Sequence, residues 1–386
     1  MPLPDDLRES LALWLRLTLT PGISAGTVRA LLARFGLPED IFAAGRTRLT
    51  AVLDARRAHA LLADDEEREG RVATALRWAG EGDDHHLLAI DDARYPRALL
   101  STADPPVLLY VRGSPAALSG DLLAIVGARQ ATPAGTANAH AWARYLSDEG
   151  LTIVSGLAHG IDAAAHRGAL EGGATTTAVI GTGIDRVYPA ANHALARDIA
   201  ARGAIVSEFP LGTGVRRAHF PQRNRILAGL SLGVLVVEAA RRSGSLTTAR
   251  LAGEYGREVM AVPGSIHSPV AQGCHWLIRQ GAVLVESAED VLAEIRPRMS
   301  AAHATGRPSS EREGDEGEAP HRAGAAQTSL SRGARQLLDA CGHDPVTAEE
   351  LARRSTLAPA ELAAALLELE LAGCLVRAGD GSYWRT

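Results

Sequence analysis

Between residues 83 and 297 the chain alternates short apolar runs with longer segments of mixed character. The runs read LLAI (87–90), VLLYV (107–111), LLAIV (122–126), LTIVS (151–155), TTAVI (176–180), AIVSE (204–208), GVLVVE (233–238), EVMAV (258–262) and AVLVE (282–286). Segments 135–149, 160–171 and 245–256 lie between them and have helical character. An apolar run without polar alternation is a strand buried on both faces. Helices between such strands cover a parallel sheet. Glycines and small polar residues repeatedly follow the strand ends, which is where such sheets bind ligands.

The flanks differ. Residues 1–82 read as short helices. TLTPGISAGTVRALLARFGLPEDIF combines a Pro21-Gly22 break, a Ser24 cap and a Gly36 stop. This resembles a helix-hairpin-helix, whose turn offers backbone N–H groups to phosphate, although Asp5, Asp6 and Glu9 lie close by. Residues 298–328 are rich in Ala, Gly, Ser and charge, and read as a disordered linker. Residues 329–386 give three helices and a hairpin. Thr347 caps the second helix with Glu350 three residues on, a capping box, and Gly379-Asp380-Gly381 marks the hairpin turn. The pattern is that of a winged helix-turn-helix. Its third helix carries Glu361, Glu368 and Glu370 and no arginine, and residues 331–386 hold 6 Arg against 8 Asp and Glu. A major-groove reader needs a basic face, so this module is expected to make protein or structural contacts.

Composition narrows the class. At 386 residues the chain is too long for one average domain, and 46% apolar residues supply ample core. Only 4% are aromatic, so the core must be mainly aliphatic. Cys274, Cys341 and Cys374 form no C-x-x-C pair and no zinc-ligand spacing with histidine. That argues against a disulfide framework or a metal site and for a reducing, cytoplasmic setting. The opening MPLPDDLRES lacks the basic-then-apolar order of a signal peptide. No apolar run approaches the ~18 residues of a membrane helix, so no membrane contact is expected. The formal net charge is −5, yet all 40 basic side chains are arginine. Their abundance alone carries no functional information; their distribution does.

Seven arginines, Arg216, Arg217, Arg223, Arg225, Arg241, Arg242 and Arg250, lie between Phe209 and Gly253 with a single acid, Glu238. Pro221 suits the first turn of a helix over PQRNRILAGLS. Arg223 and Asn224 then lie near its positive end, with Arg225 slightly deeper. GVLVVE delivers the chain to AARRSGSLTTAR, where Ser243-Gly244-Ser245 is a donor-rich turn at a helix start. Backbone amides, hydroxyls and guanidiniums together suit phosphate oxygens, and Phe220 offers a ring on which a base can stack. Upstream, IVGARQATPAG (125–135) turns at Gly127 and projects Arg129 above the sheet beside a helix N-terminus. In VSGLAHGIDAAAH (154–166), Ser155 and Gly156 end a strand, while His159, Asp162 and His166 read as a helix cap and packing groups. VIGTGIDRVYP (179–189) matches the first two glycines of a dinucleotide fingerprint at Gly181 and Gly183. Arg186 stands at the third, so a nucleotide cofactor is not expected.

Ten motifs in order make the chain resemble the DNA-processing protein A (DprA, or Smf) family over roughly residues 88–295. They are DDARYPRALL, PPVLLYVRG, IVGARQAT, VSGLAHGIDAAAH, AVIGTGIDRVYP, SEFPLGT, HFPQRNRILAGLS, VVEAARRSGSLTTA, AVPG and LIRQGA. The resemblance implies an extended Rossmann-like α/β domain between a helical, sterile-alpha-motif-like N-terminal domain and a C-terminal winged helix. It implies a homodimeric, non-enzymatic protein without a cofactor. Such a protein binds single-stranded DNA, protects incoming DNA and helps load the recombinase RecA during natural transformation. Arg129 takes the place of the arginine in the family's G-S-R turn, here Gly127-Ala128-Arg129. Arg217 takes that of a basic residue three before the Phe-Pro pair. The expected DNA site is therefore Arg129, Ser155, Gly156, Arg217, Phe220, Arg223, Asn224, Arg225, Ser243 and Gly244. SGSLTTA after VVEAA keeps open an alternative, a Rossmann-like hydrolase acting on a nucleoside monophosphate.

Overall fold

The structure is a computed structural model that describes residues 3–299, 330–341, 346–377 and 381–385. Most of the expected linker, and Gly379 and Asp380 of the expected hairpin turn, lie outside the described residues. The chain divides into two units, Met1–Gly306 and Arg307–Thr386.

Each of the nine apolar runs contributes a strand to one sheet of the first unit. They are β1 (His85–Ala89), β2 (Leu108–Gly113), β3 (Leu122–Val126), β4 (Thr152–Ser155), β5 (Thr176–Val179), β6 (Ala204–Ser207), β7 (Gly233–Val236), β8 (Glu258–Ala261) and β9 (Val283–Leu284). Their spatial order is β1-β2-β6-β5-β4-β3-β7-β8-β9. From β6 across to β9 every neighbouring pair is parallel. At the other edge β1 pairs antiparallel with β2, and β2 with β6. The link from β1 to β2 contains only the four-residue helix Arg97–Leu100, which cannot cover a parallel crossover.

The parallel strands are apolar on both faces. Leu123 and Ile125 of β3 join Ile153, Leu235 and Met260 beneath helices Pro133–Asp148 and Ile161–Glu171. Leu122, Ala124 and Val126 join Val154, Val234 and Val236 beneath helices His219–Leu230 and Ser245–Glu254. This two-sided burial is why the runs show no alternation. The covering helices are rich in alanine. At Gly168 the Ile161–Glu171 helix comes so close to its neighbour that a Cβ would overlap the His140 carbonyl. Close approach of small residues here fills the core that few aromatics occupy.

The topology also places a crevice. β4, β5 and β6 lie successively on one side of β3, and β7, β8 and β9 on the other. The direction of growth reverses between β3 and β7, so the loops leaving their carboxyl ends splay apart.

Six helices precede the sheet, from Asp5–Leu19 to Glu66–Glu81. Ser24 caps the Ala25–Phe35 helix by accepting from Thr27 N at 3.1 Å, and Gly36, at φ 96°, ends it. Arg68 is buried among these helices, its terminal nitrogens donating to the Ala60, Leu61 and Ala63 carbonyls and to Thr20 Oγ1.

In the second unit, helices Arg332–Cys341, Ala348–Ser355 and Pro359–Leu371 pack with β10 (Val346–Thr347), β11 (Leu375–Arg377) and β12 (Ser382–Arg385). The strand order β10-β12-β11 is that of a winged helix. Thr347 accepts from Glu350 N at 3.3 Å, but the Glu350 carboxylate turns to Arg353 and Arg354, so only half of the expected capping box forms. Glu368 of the third helix accepts from Ser331 N and Oγ, each at 2.6 Å.

One core group titrates far from its usual range. His166 is fully buried, with Nδ1 2.7 Å from Thr176 Oγ1, whose own proton goes to the Ile153 carbonyl at 2.7 Å. Nδ1 is therefore the donor and the ring is neutral. Burial disfavours the imidazolium and holds the pKa at about 3, against 6.5 for an exposed histidine. Between those values the unfolded chain binds a proton that the native chain does not. Stability should then fall as pH drops through that window, by up to about 1.4 kcal/mol per pH unit. His166→Gln should flatten the decline, read from urea unfolding at neutral and mildly acidic pH. An unchanged decline would show that His166 is not its source.

Candidate nucleic-acid interface

A cavity of about 750 Å³ opens at the crevice, over the carboxyl ends of the central strands. Arg129, Arg217, Phe220, Arg223, Asn224 and the Ser243-Gly244-Ser245 turn line it.

The wall after β3 depends on close backbone approach. A Cβ at Gly127 would press on Ile161 Cγ1 at 2.6 Å and on the Glu238 carbonyl at 2.9 Å. The chain then rises to expose Arg129, whose guanidinium lies 5.1 Å from the centroid of the Phe220 ring, within cation–π range. Thr132 anchors the far end of this loop. Its N–H and Oγ1 donate to the two carboxylate oxygens of Glu238 at 2.9 and 2.6 Å, and Oγ1 accepts from Gly135 N at the helix start. The single acid of the arginine-rich stretch is thus turned to holding the Arg129 loop. Burial raises the pKa of Glu238, with the Thr132 bonds opposing the rise.

The floor after β4 is built around Arg223. A Cβ at Gly156 would overlap the Arg223 guanidinium, so glycine there makes the room that the guanidinium fills. Arg223 Nη1 donates to the Val179 carbonyl at 2.7 Å, and Nη2 lies 3.9 Å from Asp162 Oδ2. Asp162 also accepts from Gly156 N at 3.2 Å and Ala158 N at 3.4 Å. It therefore braces the turn after β4 as well as facing the arginine. Burial raises the pKa of Asp162 and pushes that of Arg223 down to about 10, leaving the guanidinium charged at neutral pH. Leu157, at φ 57°, is the strained residue of this turn, and Asn192 Nδ2 donates to its carbonyl at 2.9 Å.

The remaining walls come from β5, β6 and β7. Tyr188 stands against Phe220 with ring centroids 5.9 Å apart. Phe220 is half-buried and Arg217 exposed. Asn224 Nδ2 donates to the Gly244 carbonyl at 3.2 Å, tying helix His219–Leu230 to the turn after β7. Ser243 and Ser245 share a hydrogen bond between their hydroxyls at 2.6 Å.

The structure thus brings seven of the ten expected residues to the cavity lining: Arg129, Arg217, Phe220, Arg223, Asn224, Ser243 and Gly244. Three are not brought there. Ser155 is fully buried and donates to the Ile125 carbonyl at 2.6 Å. Gly156 lies behind Arg223 and acts by lacking a side chain. Arg225 turns away, pairing with buried Glu208 and with Asp104 at 3.2 Å, and donating to the Asp104 carbonyl at 2.7 Å. Burial raises Glu208 to about 7 despite this pairing. Reasoning from sequence missed Tyr188, whose only signal was its place in a glycine motif, and the pairing of Thr132 with Glu238, which had none.

Charge is divided in the same way. Arg223, Arg225 and Arg250 face acids. Arg129, Arg216, Arg217, Arg241 and Arg242 are exposed and have no ion pair among the described residues.

A doubly wound sheet whose switch-point crevice is walled by Arg129, Arg217 and the Phe220 ring defines a Rossmann-like fold with a cationic crevice. Comparison with known proteins makes this specific. A family profile described as DNA recombination-mediator protein A matches residues 86–296, and one described as DprA winged helix domain matches 321–381. Protein Smf of Escherichia coli is 39% identical over 317 residues, covering 81% of this chain and 80% of that protein. The X-ray structure of DNA processing protein A from Streptococcus pneumoniae aligns with a TM-score of 0.63 at 36% identity, covering 76% of this chain and 99% of that one. That of Helicobacter pylori, described for its single-stranded DNA binding mode, aligns at 0.51 and 28% identity, covering 56% and 98%. The chain belongs to the DNA recombination-mediator protein A family.

Two kinds of arginine should separate in unfolding experiments. Arg225→Ala leaves Glu208 buried without its partner and should cost about 3–5 kcal/mol. Gly156→Ala overpacks the Arg223 floor and should cost about 1–3 kcal/mol. Arg129→Ala should stay within about 0.5 kcal/mol. Equal urea midpoints for all three variants would contradict this division.

Proposed function

We propose that the cavity binds single-stranded DNA. In this reading the chain is a recombination mediator, not an enzyme, that protects incoming single strands and helps RecA assemble on them during natural transformation. The observation that carries it is the grouping of Arg129, Arg217 and Phe220. Two exposed guanidiniums without acid partners among the described residues line one cavity with a partly exposed ring. A single strand presents phosphates and unstacked bases together, which is what such a surface can hold without reading sequence. Arg223 adds positive charge at the floor, and Asn224, Ser243 and Gly244 supply a polar edge. The likeness to the Helicobacter pylori protein described for its single-stranded DNA binding supports the same ligand. Asp162 and Glu238, the acids beside the cavity, are engaged by backbone amides, Arg223 and Thr132, which supports binding over hydrolysis. The 83–297 domain would hold the strand, with 1–82 and 329–386 flanking it, in a cytoplasmic homodimer.

Arg129→Ala and Arg217→Ala should each weaken single-strand affinity about tenfold, the ~1.5 kcal/mol of a charge-assisted hydrogen bond. Each should lower the slope of log K against log salt by about 0.7. Phe220→Leu should cost about 1–3 kcal/mol through lost stacking. Fluorescence anisotropy with labelled oligothymidine at several salt concentrations reads all three. Unchanged affinity and slope in both arginine variants would remove the site. Release of base or phosphate from nucleotides would overturn the non-enzymatic reading.

A further inference from the structure

A second cavity, of about 430 Å³, lies across the loop that follows β6. Arg71, Phe209, Thr213, Gly214, Arg216 and His219 line it. Its frame is tied together by local contacts: the Phe209 and His219 rings stack 4.1 Å apart, His219 Nδ1 lies 3.1 Å from the Gly181 carbonyl, and Gly183 N donates to Thr213 O at 2.9 Å. A Cβ at Gly212 or Gly214 would meet nothing within 4 Å, so this part of the loop is open to an approaching backbone.

Arginines on the N-terminal helices fall into two groups, with and without an ion pair among the described residues. On the N-terminal helices Arg16 pairs with Glu69, Arg29 with Asp104 and Arg57 with Asp54. Arg71, on helix Glu66–Glu81, is exposed and has no ion pair among the described residues, and the same holds for Arg216. Arg216 and Arg217 are chain neighbours, yet Arg217 lines the first cavity and Arg216 the second. The two cavities are therefore lined by successive residues of one segment.

We propose that Arg71 and Arg216 hold a phosphodiester group of the strand just outside the first cavity. The N-terminal helical segment is then part of the single-strand interface. This rests on the single-stranded DNA reading above and extends it to a second subsite, whose ligand is the backbone alone.

The test compares labelled oligothymidines of about six and about twenty nucleotides, short and long relative to one binding site. The proteins are the full wild-type chain, Arg71→Ala/Arg216→Ala, Arg71→Lys/Arg216→Lys, and Arg129→Ala as the first-cavity control. The double alanine variant should bind the short oligonucleotide as wild type does. For the long one its affinity should fall about tenfold, and its salt slope by about 0.7, one phosphate's worth. The double lysine variant should restore the slope. If wild type binds both lengths and Arg129→Ala weakens both, while the double alanine variant matches wild type on the long one, the second subsite is overturned and the first stands. If wild type binds neither length, the single-strand reading itself fails, and this one with it.

Discussion

The guanidinium of Arg223 occupies the space that a side chain at Gly156 would need, and the cavity is arranged around that substitution of one group for another. A cation is brought to the floor of a crevice without exposing it. The Val179 carbonyl and Asp162 hold it from behind. Because Asp162 also takes the amides of Gly156 and Ala158, the turn after β4 and the helix carrying Arg223 are locked to each other. Arg129 and Phe220 then meet above this floor.

An overall acidic chain can present a basic site because charge is sorted locally. Arginines that serve the frame are buried against acids or carbonyls, as Arg68 and Arg225 are. Those at the cavity mouths have no such partners among the described residues. A formal charge of −5 is spread over the whole chain, whereas a phosphate at the crevice meets guanidiniums within a Debye length of about 8–10 Å. Glu238 shows the same sorting in reverse. The one acid in the arginine-rich stretch is held by Thr132, where it orders the loop bearing Arg129.

Much of this was legible in the sequence, for identifiable reasons. The central strands β3 to β7 were visible because both faces of the sheet are buried there, so each reads as a nearly unbroken apolar run. Arg129 and the Ser243 turn were visible because ligand loops leave the carboxyl ends of parallel strands. Arg225 was grouped with Arg223 by proximity along the chain, but residues two positions apart on a helix lie about 200° apart around its axis. One faces the cavity and the other faces Glu208. Ser155 closes its strand, and its hydroxyl is spent on the neighbouring strand's carbonyl, which no local pattern announces. The antiparallel edge and the Thr132–Glu238 bond depend on tertiary contacts, the latter between residues 106 apart, and periodicity carries no trace of either.

The central claim is that exposed arginines, without ion pairs among the described residues, grip a single strand over a floor set by Arg223. A crystal structure of the full chain with a short oligothymidine tests it most directly. The account predicts phosphates within hydrogen-bond reach of Arg129 and Arg217 and a base stacked on Phe220. It also predicts that Arg223 remains against Gly156 and that Arg225 remains on Glu208. A strand bound elsewhere on the sheet, or one held by a released Arg225 while Arg129 and Arg217 point to solvent, would contradict it.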